Sequence, residues 1–154
     1  MPMASTGKAF QNVAVAFDGS DDSVKAIRLA CSIASEFGSK LIVVHVYSSL
    51  TTVFAGGAGV PVLNYGELED AAKAAATATL SKGVQTAAHY GVKARGELIE
   101  APSVVEALVG FATDQKIDLI VVGTRGMTGF KKLIMGSVAS GLVSHARCPV
   151  MVVR

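Results

Sequence analysis

Three glycines and a serine near the end of the chain have a spacing suited to binding phosphate. Gly123 follows the apolar run at 119–122, Gly126 lies three positions later, and Gly136 with Ser137 opens a helical pattern after nine intervening residues. Glycine lets a ligand approach the main chain closely, and a helix start presents unpaired N–H groups with about half a positive charge. The segment therefore predicts a strand, a phosphate-binding loop and a helix, although glycines that serve only turns would give the same spacing.

The composition restricts the classes of protein to consider. The chain has 154 residues, 51% of them hydrophobic, and no apolar run approaches the roughly 18 residues that span a bilayer. A net charge of +2 from dispersed basic residues, with no tryptophan, argues against binding to nucleic acid. The first ten residues lack the apolar core of a secretory signal. We therefore expect one cytoplasmic domain over 1–154, with 1–10 as a loose arm and no contact with a membrane.

The cysteines give no sign of a metal site or a disulfide framework. Cys31 and Cys148 are far apart in sequence and belong to no Cys-x-x-Cys pair. We expect both to be buried as small apolar residues.

Hydrophobic periodicity and turn residues predict alternating strands and helices. The predicted strands cover 12–17, 41–46, 92–99, 119–122 and 150–153. Four helices are predicted. The first is capped by Ser20 or Asp21, the second begins at Glu67, the third has Pro102 in its first turn, and the fourth begins at Gly136 or Ser137. Residues 47–64 have no sustained period, so we expect a long loop that lies over a ligand site or a partner, or is a tolerated insertion.

For two helices the pattern also predicts the buried face. In the alanine-rich helix the predicted inward stripe is Leu68, Ala72, Ala75, Thr79 and Ala87. We expect Gly83 to weaken the middle of this helix. In the last helix it would be Val138, Leu142, Val143 and Ala146.

The order of elements predicts an α/β fold with a doubly wound, open, parallel five-stranded sheet and four helices on its two faces. The charged, alternating strand at 92–99 suits an edge, and right-handed crossovers then favour the strand order 3-2-1-4-5. Ligands of such sheets bind at the carboxyl ends of the strands where the order reverses, here between strands one and four. Asp18 and Gly123 follow those two strands, so we expect them to meet at one site.

The last strand is apolar and uncharged. Val150, Met151, Val152 and Val153 would present an open edge of unpaired backbone groups, which native proteins normally cover. We therefore expect a homodimer in which a second copy pairs with this strand about a twofold axis.

Four segments together resemble the universal stress protein family. They are VAVAFDGS after the short leader, LIVVHV in the second strand, the glycine spacing described above, and the ending SHARCPVMVVR. The glycine spacing is neither the Gly-Lys-Ser/Thr phosphate loop nor the Gly-x-Gly-x-x-Gly dinucleotide fingerprint. It is similar to the signature that distinguishes the ATP-binding members of the family. The resemblance implies a dimeric, nucleotide-dependent module in stress response or signalling.

The resemblance also implies how the phosphates are held. Gly123, Gly126, Gly136 and Ser137 would bind the phosphates of ATP, and Val138 would join them at the helix start. Mg²⁺ would bind through the nucleotide phosphates, since no carboxylate pair for a dedicated metal site is visible. The loop places no obvious general base beside a water molecule, so we expect at most slow ATP hydrolysis and no assigned catalytic residue.

On the adenosine side, Asp18 matches the family's first-strand aspartate and Val46 matches the residue whose main chain meets adenine. Val122 would pack on the base. A turn or helix-capping carboxylate is the alternative role for Asp18, but its position and chemistry favour a contact with the ribose. His45, inside an apolar strand, is interpreted as a core residue rather than a catalytic one. Five more polar residues could face the phosphates: Thr124, Arg125, Thr128, Lys131 and Lys132. Arg125 and the two lysines are equally plausible as solvated loop residues.

Two other functions stay open. The segment DGSDDS at 18–23 faintly echoes the Ser-Gly-Gly-x-Asp-Ser loop of ATP pyrophosphatases that adenylate substrates. An aspartate replaces the leading serine, however, and the chain has no room for the substrate domain that such enzymes usually carry. The other alternative is a dimeric interaction module that binds no ligand, against which the intact glycine spacing argues.

Overall fold

In the computed structural model of the protein, the described residues are 7, 9–49, 65–125 and 135–154. Within these ranges the chain forms five strands and four helices. The strands are β1 (Asn12–Ala16), β2 (Lys40–Tyr47), β3 (Arg95–Glu100), β4 (Leu119–Gly123) and β5 (Val150–Val153). The helices are α1 (Asp21–Phe37), α2 (Tyr65–His89), α3 (Val104–Asp114) and α4 (Ser137–His145). Most of the predicted loop at 47–64 lies outside the described residues.

The described strands form one parallel sheet in the order β3-β2-β1-β4-β5, which confirms the predicted fold and strand order. The central strand is β1, in which Val15 lies level with Val43 of β2 and with Val121 of β4. All three valines are fully buried, because helices cover both faces of a parallel sheet. The strand order reverses between β1 and β4, so the crevice for a ligand opens between their carboxyl ends.

A separate apolar core lies on each face of the sheet. On one face α1 and α2 pack over a core that includes Ile27 and Val43. On the other face α3 and α4 pack over a core that includes Ile120 and Leu142. Each of these fully buried aliphatic side chains contributes about 1.5–3 kcal/mol to folding. The two cores fix the helices, and therefore the helix ends, relative to the strands.

Helix α1 begins and ends at the residues that the sequence predicts. The Ser20 hydroxyl accepts a hydrogen bond from the Ser23 N–H at 3.2 Å, as an N-cap does. Gly38 ends the helix in the left-handed conformation, with a φ of 62°. The start of α1 is thereby fixed directly after the end of β1.

Two details of the predicted helices were wrong. Helix α3 is capped by Ser103, whose hydroxyl accepts from the Glu106 N–H at 3.3 Å, so Pro102 precedes the cap instead of lying in the first turn. In α4 the buried residues are Ala139 and Leu142, while Val143 is 53% exposed. Helix α4 has only nine residues. In so short a helix, one residue assigned wrongly to the buried side changes the predicted apolar face.

The inward face of α2 also differs from the predicted stripe. Its buried residues are Ala76, Gly83 and Ala87, whereas Leu68 is 39% exposed and Ala75 is exposed as well. Gly83 does not mark a weak middle. A Cβ at Gly83 would lie 2.7 Å from a ring carbon of Phe17 and 2.9 Å from a methyl of Val43, so this glycine lets α2 pack closely on the sheet.

The amino-terminal segment is described only in part, since residues 1–6 and 8 lie outside the described ranges. Phe10 packs edge-on against Phe37 with ring centroids 5.2 Å apart, and its carbonyl accepts from the Ser39 hydroxyl at 2.6 Å. Of the two free cysteines, Cys31 is buried and Cys148 is half-buried. Burial raises the pKa of the Cys31 thiol to about 11, so it stays protonated. Among the helices described, none combines the length and apolarity needed to cross a membrane.

Candidate functional site

A cavity of about 340 Å³ opens at the carboxyl ends of β1, β2 and β4, beside the first turn of α4. Its position is the one predicted from the reversal of strand order, and its volume suits a small ligand. It is lined by Ala16, Phe17, Asp18, Ser23, Val44, His45, Val46, Val104, Leu108, Val122, Gly123, Thr124, Arg125, Gly136, Ser137, Val138 and Ala139.

The structure brings the predicted site residues together. Every one of them that lies within the described ranges lines this cavity: Asp18, Val46, Val122, Gly123, Gly136, Ser137 and Val138. Gly126, the remaining predicted residue, lies outside the described residues. Residues separated by more than a hundred positions in sequence therefore meet because β1 and β4 are neighbours in the sheet.

One side of the cavity is apolar. Val46 and Val122 come from the ends of β2 and β4, and α3 adds Val104 and Leu108. These side chains belong to the core on the α3 and α4 face of the sheet. A wall of this kind accommodates a flat, weakly polar group such as a ring, because the contact removes apolar surface from water on both partners. The contribution of α3 was not predicted from the sequence, although its apolar periodicity was.

Another part of the cavity lining is the start of α4. Gly136 is the N-cap and makes no side-chain capping hydrogen bond, and Ser137, the first helical residue, is exposed. The first N–H groups of a helix have no partner within the helix, so they are donors for an anion placed there. The helix dipole adds partial positive charge at the same point. This end of the cavity thus has the chemistry for phosphate.

The glycines of the signature are explained first by packing between protein segments. A Cβ at Gly123 would lie 2.8 to 2.9 Å from the main chain and Cβ of Asp22. A Cβ at Gly136 would lie 2.9 Å from the carbonyl oxygen of Thr124, which accepts the Gly136 N–H at 2.6 Å. Both glycines allow the ends of β4, α1 and α4 to meet. Glycine is therefore needed at both positions for the protein segments to pack, whether or not a ligand contacts these residues.

Asp18 has the turn geometry that was considered as an alternative for it. Its Oδ1 accepts the Ser20 N–H at 2.9 Å, which closes a tight turn between β1 and α1. The same residue lines the cavity. The turn fixes the carboxylate at the cavity mouth, so the structural role and a ligand contact are compatible.

His45 is half-buried and lines the cavity, which its position in an apolar strand did not predict. Its Nδ1 lies 2.7 Å from the Phe17 carbonyl oxygen. Because a carbonyl only accepts, Nδ1 carries the proton and donates it. The imidazole thus ties β2 to the last residue before Asp18, which is a positioning contact.

An ion pair between a buried carboxylate and a partly exposed arginine of the cavity lining was not predicted. The Asp22 side chain is 7% exposed, and its Oδ2 accepts from both the main-chain N–H and the Nε of Arg125, at 3.2 and 3.3 Å. Burial raises the pKa of the Asp22 carboxyl, but the hydrogen bond and charge of Arg125, aided by Lys25, outweigh burial and hold the pKa below its usual value. The pair is charged at neutral pH.

Within the described ranges, no group of three or more histidine, cysteine, aspartate or glutamate side chains is arranged to hold a metal ion. Donors for a ligand at this site are therefore mainly backbone N–H groups, hydroxyls and Arg125. Such donors can satisfy phosphate oxygens, and an accompanying cation would take its oxygens from the ligand.

These features define a class of protein. A doubly wound α/β sheet with a cavity at its switch point, lined by apolar side chains and by a helix start, is typical of proteins that bind small ligands with an anionic group.

The comparisons identify the family within that class. A sequence profile of the universal stress protein family matches residues 9–154. A universal stress protein of Methanocaldococcus jannaschii is 34% identical over 146 residues, which are 94% of this chain and 82% of that protein. This chain therefore belongs to the universal stress protein family.

Solved structures agree with this assignment. The universal stress protein UspA from Lactobacillus plantarum is 27% identical and has a TM-score of 0.77, with 94% of this chain and 98% of that chain covered. A universal stress protein crystallised in complex with cAMP is 26% identical and has a TM-score of 0.69, with 94% and 97% covered.

Proposed function

We propose that this protein binds an adenine nucleotide, ATP accompanied by Mg²⁺, in the switch-point cavity. The observation that carries the proposal is that one cavity is lined both by the apolar side chains of Val46 and Val122 and by the start of α4, where no side chain caps the helix. A nucleotide needs both surfaces in one site, because its purine ring is apolar and its phosphates are anionic. The cAMP complex of the 26% identical structure supports an adenine nucleotide as the ligand class.

The roles proposed for the residues follow the chemistry of the two ends. Val46 and Val122 contact adenine, and the Asp18 carboxylate accepts from the ribose hydroxyls. The phosphates lie against the main chain of the glycine signature and the first turn of α4: Gly123, Gly126, Gly136, Ser137 and Val138. Mg²⁺ is bound through the phosphates, since hard cations prefer oxygen ligands and retain water.

The proposal includes an assembly. Strand β5 lies at the edge of the described sheet, and all four of its residues are apolar and half-buried. A second copy that adds its own β5 about a twofold axis would pair these backbone groups. The protein is then a cytoplasmic homodimer of single domains over 1–154. It would act as a nucleotide-dependent module in stress response or signalling, with at most slow hydrolysis.

The test uses a charge placed where the phosphates would lie. Ser137→Glu adds a carboxylate at an exposed first-turn position, where the helix dipole tolerates it, so the fold should be retained. We expect ATP affinity, measured by calorimetry with Mg²⁺, to fall at least about tenfold because like charges would be juxtaposed. The matched control Ser144→Glu makes the same change at the exposed far end of α4 and should leave affinity unchanged.

Other results would redirect the function. Unchanged ATP affinity in Ser137→Glu would mean that the assigned site is wrong. If the folded wild-type protein binds no adenine nucleotide, and none is released on denaturation as judged by mass spectrometry, the protein is a ligand-free interaction module. Pyrophosphate released from ATP in the presence of an acceptor would instead identify an adenylating enzyme.

A further inference from the structure

The Arg125 side chain is held at the cavity rim by a single carboxylate oxygen. Oδ2 of Asp22 accepts from the Arg125 main-chain N–H at 3.2 Å and from its Nε at 3.3 Å. Asp22 lies in the first turn of α1 and Arg125 lies two residues beyond β4, and the two are 103 positions apart in sequence. The contact joins the start of α1 to the segment that leads into the glycine signature.

This contact fixes the guanidinium at Nε and leaves its other edge available. The planar guanidinium carries five N–H donors in a rigid fork, so a bond at Nε sets the direction of both terminal amino groups. Among the described residues, those amino groups have no recorded protein partner, and the side chain is 41% exposed. Arg125 is thus oriented while it keeps at least four donors for a ligand.

The available donors lie beside the proposed phosphate position. Arg125 lines the cavity, and a Cβ at Gly136 would lie 3.6 Å from the Arg125 Cα. The Arg125 main chain therefore lies next to the start of α4, and both belong to the lining of the same cavity. The N–H groups at the helix start can bind the first phosphate of a nucleotide. Each further phosphate adds negative charge, which a nearby cation such as the Arg125 guanidinium can neutralise.

Asp22 itself would oppose a polyphosphate if it were unpaired. Its carboxylate is nearly buried and forms ion pairs with Arg125 at 3.3 Å and with Lys25 at 3.5 Å. The two cations neutralise the carboxylate and hold its pKa below the usual value, although burial alone would raise that pKa. The paired carboxylate therefore does not stand as an uncompensated negative charge beside the proposed phosphate position.

We propose that Arg125 is a specificity-determining residue that makes the cavity prefer nucleoside di- and triphosphates over monophosphates, with Asp22 as its positioning residue. The inference rests on the proposed nucleotide site and refines it, because it names the number of phosphates. In this scheme Arg125 contacts the phosphates beyond the first, and Asp22 acts only through Arg125.

The experiment compares ATP with AMP by calorimetry in the full-length chain. In Asp22→Asn and in Arg125→Gln we expect ATP affinity to fall about tenfold, the effect of losing a charge-assisted hydrogen bond, while AMP affinity stays within about twofold. The double variant should lose no more than Arg125→Gln alone, because Asp22 acts through Arg125. Lys25→Gln, which removes the exposed partner of Asp22 and lies outside the cavity, is the matched control and should keep the wild-type ratio.

Selectivity is the readout that a purely structural role would not change. Equal losses for ATP and AMP in Arg125→Gln, or no loss for either, would overturn the inference while leaving the nucleotide site intact. If Asp22→Asn fails to fold, Arg125→Gln decides alone, since that side chain is substantially exposed. A wild-type protein that binds neither nucleotide would overturn the proposed function, and with it this inference.

Discussion

The two edges of the sheet have opposite chemistry. Strand β3 carries Arg95, Glu97 and Glu100 over six residues, with Arg95 and Glu97 forming a surface ion pair at 3.8 Å. Strand β5 is Val150–Val153, with no charge or polar side chain. Both are edge strands of the same parallel sheet. Charge on an edge discourages pairing with another chain, so the contrast supports the proposal that a second copy pairs with β5 rather than with β3.

The two edge strands also differ in the hydrogen bonds that join each of them to the neighbouring strand. After β4, the N–H and hydroxyl of Thr124 both donate to the Val153 carbonyl, each at 2.7 Å, and Thr124 is 5% exposed. After β2, the exposed Ser48 hydroxyl donates to the Ala101 carbonyl at 3.0 Å. Both edges end in a hydroxyl-to-carbonyl bond, but the bond at β5 is partly buried and involves Thr124 of the cavity lining, whereas the bond at β3 is exposed. Changes at β5 should therefore reach the site, whereas changes at β3 should not.

The largest expected effect is the loss of the dimer when the outer edge of β5 is blocked. The carbonyls of Pro149 and Val153 accept from β4, and because backbone groups alternate, those of Val150 and Val152 point outward. Val152→Pro removes an outward N–H without removing a bond to β4. The change occurs twice in a twofold interface, so two bonds of about 1 kcal/mol each are lost. We expect the dimer dissociation constant to rise at least about thirtyfold by analytical ultracentrifugation.

Glu100→Pro is the matched control on the other edge. The Ala101 N–H donates to the Tyr47 carbonyl at 3.0 Å, so the N–H of Glu100 also points away from its neighbour strand. This variant should remain as dimeric as the wild type. If Glu100→Pro dissociates the dimer and Val152→Pro does not, the dimer interface lies at β3 and not at β5.

A smaller difference should separate the charge pairs near the two edges. Asp22→Asn breaks a pair whose carboxylate is buried although its arginine is partly exposed, and we expect it to cost about 2 kcal/mol at pH 7 in urea unfolding. The folded pKa of Asp22 lies below its ordinary value of 3.8, so its contribution is complete above that pH and is lost as pH falls through the folded value. The stability difference between variant and wild type should therefore be constant from pH 7 to 4.5 and shrink by pH 2.5.

Glu97→Gln is the comparison for that prediction. Its side chain is 37% exposed and that of Arg95 is 55% exposed, so solvent screens the pair. The change should alter stability by no more than about 0.5 kcal/mol. A cost as large as that of Asp22→Asn would show that burial does not distinguish the two pairs.

The smallest expected effect tests the two hydroxyl bonds directly. Thr124→Val keeps the shape of the side chain but removes the donor to Val153, at a cost of about 1 kcal/mol. Because the main-chain bond from Thr124 remains, we expect ATP affinity to weaken only two- to threefold, measured by calorimetry. Ser48→Ala should leave both stability and affinity unchanged. Equal behaviour of the two variants would argue against a connection between β5 and the cavity.

The sequence predicted the sheet better than it predicted the helix faces. The strand order follows from the long β-branched runs and from the charges of β3. Few topologies bury the β-branched strands and also leave the charged strand exposed at an edge. In α2 the pattern is dominated by alanine, so inward and outward positions differ little in hydrophobicity, and the predicted stripe placed Leu68 inward although it is exposed. The pairing of Asp22 with Arg125 had no local signal at all, since only the fold brings the two residues together.

The cavity residues were predicted because the strand ends fix them. Once β1 and β4 are neighbours, Asp18 and Gly123 must meet, and Ser137 follows from the helix start. The walls supplied by α3 and the orientation of His45 depend on how helices and side chains pack. A pattern of spacing contains no such information.

The contact between Gly123 and Asp22 has an evolutionary consequence. A descendant that stopped binding a ligand would still need glycine at 123, where a Cβ would meet the α1 main chain, and at 136, where it would meet the Thr124 carbonyl. Selection on folding alone would preserve much of the signature. Substitutions would accumulate first at Ser137, which is exposed. Glycine at these two positions is therefore weaker support for a bound ligand than the spacing in the sequence alone suggests.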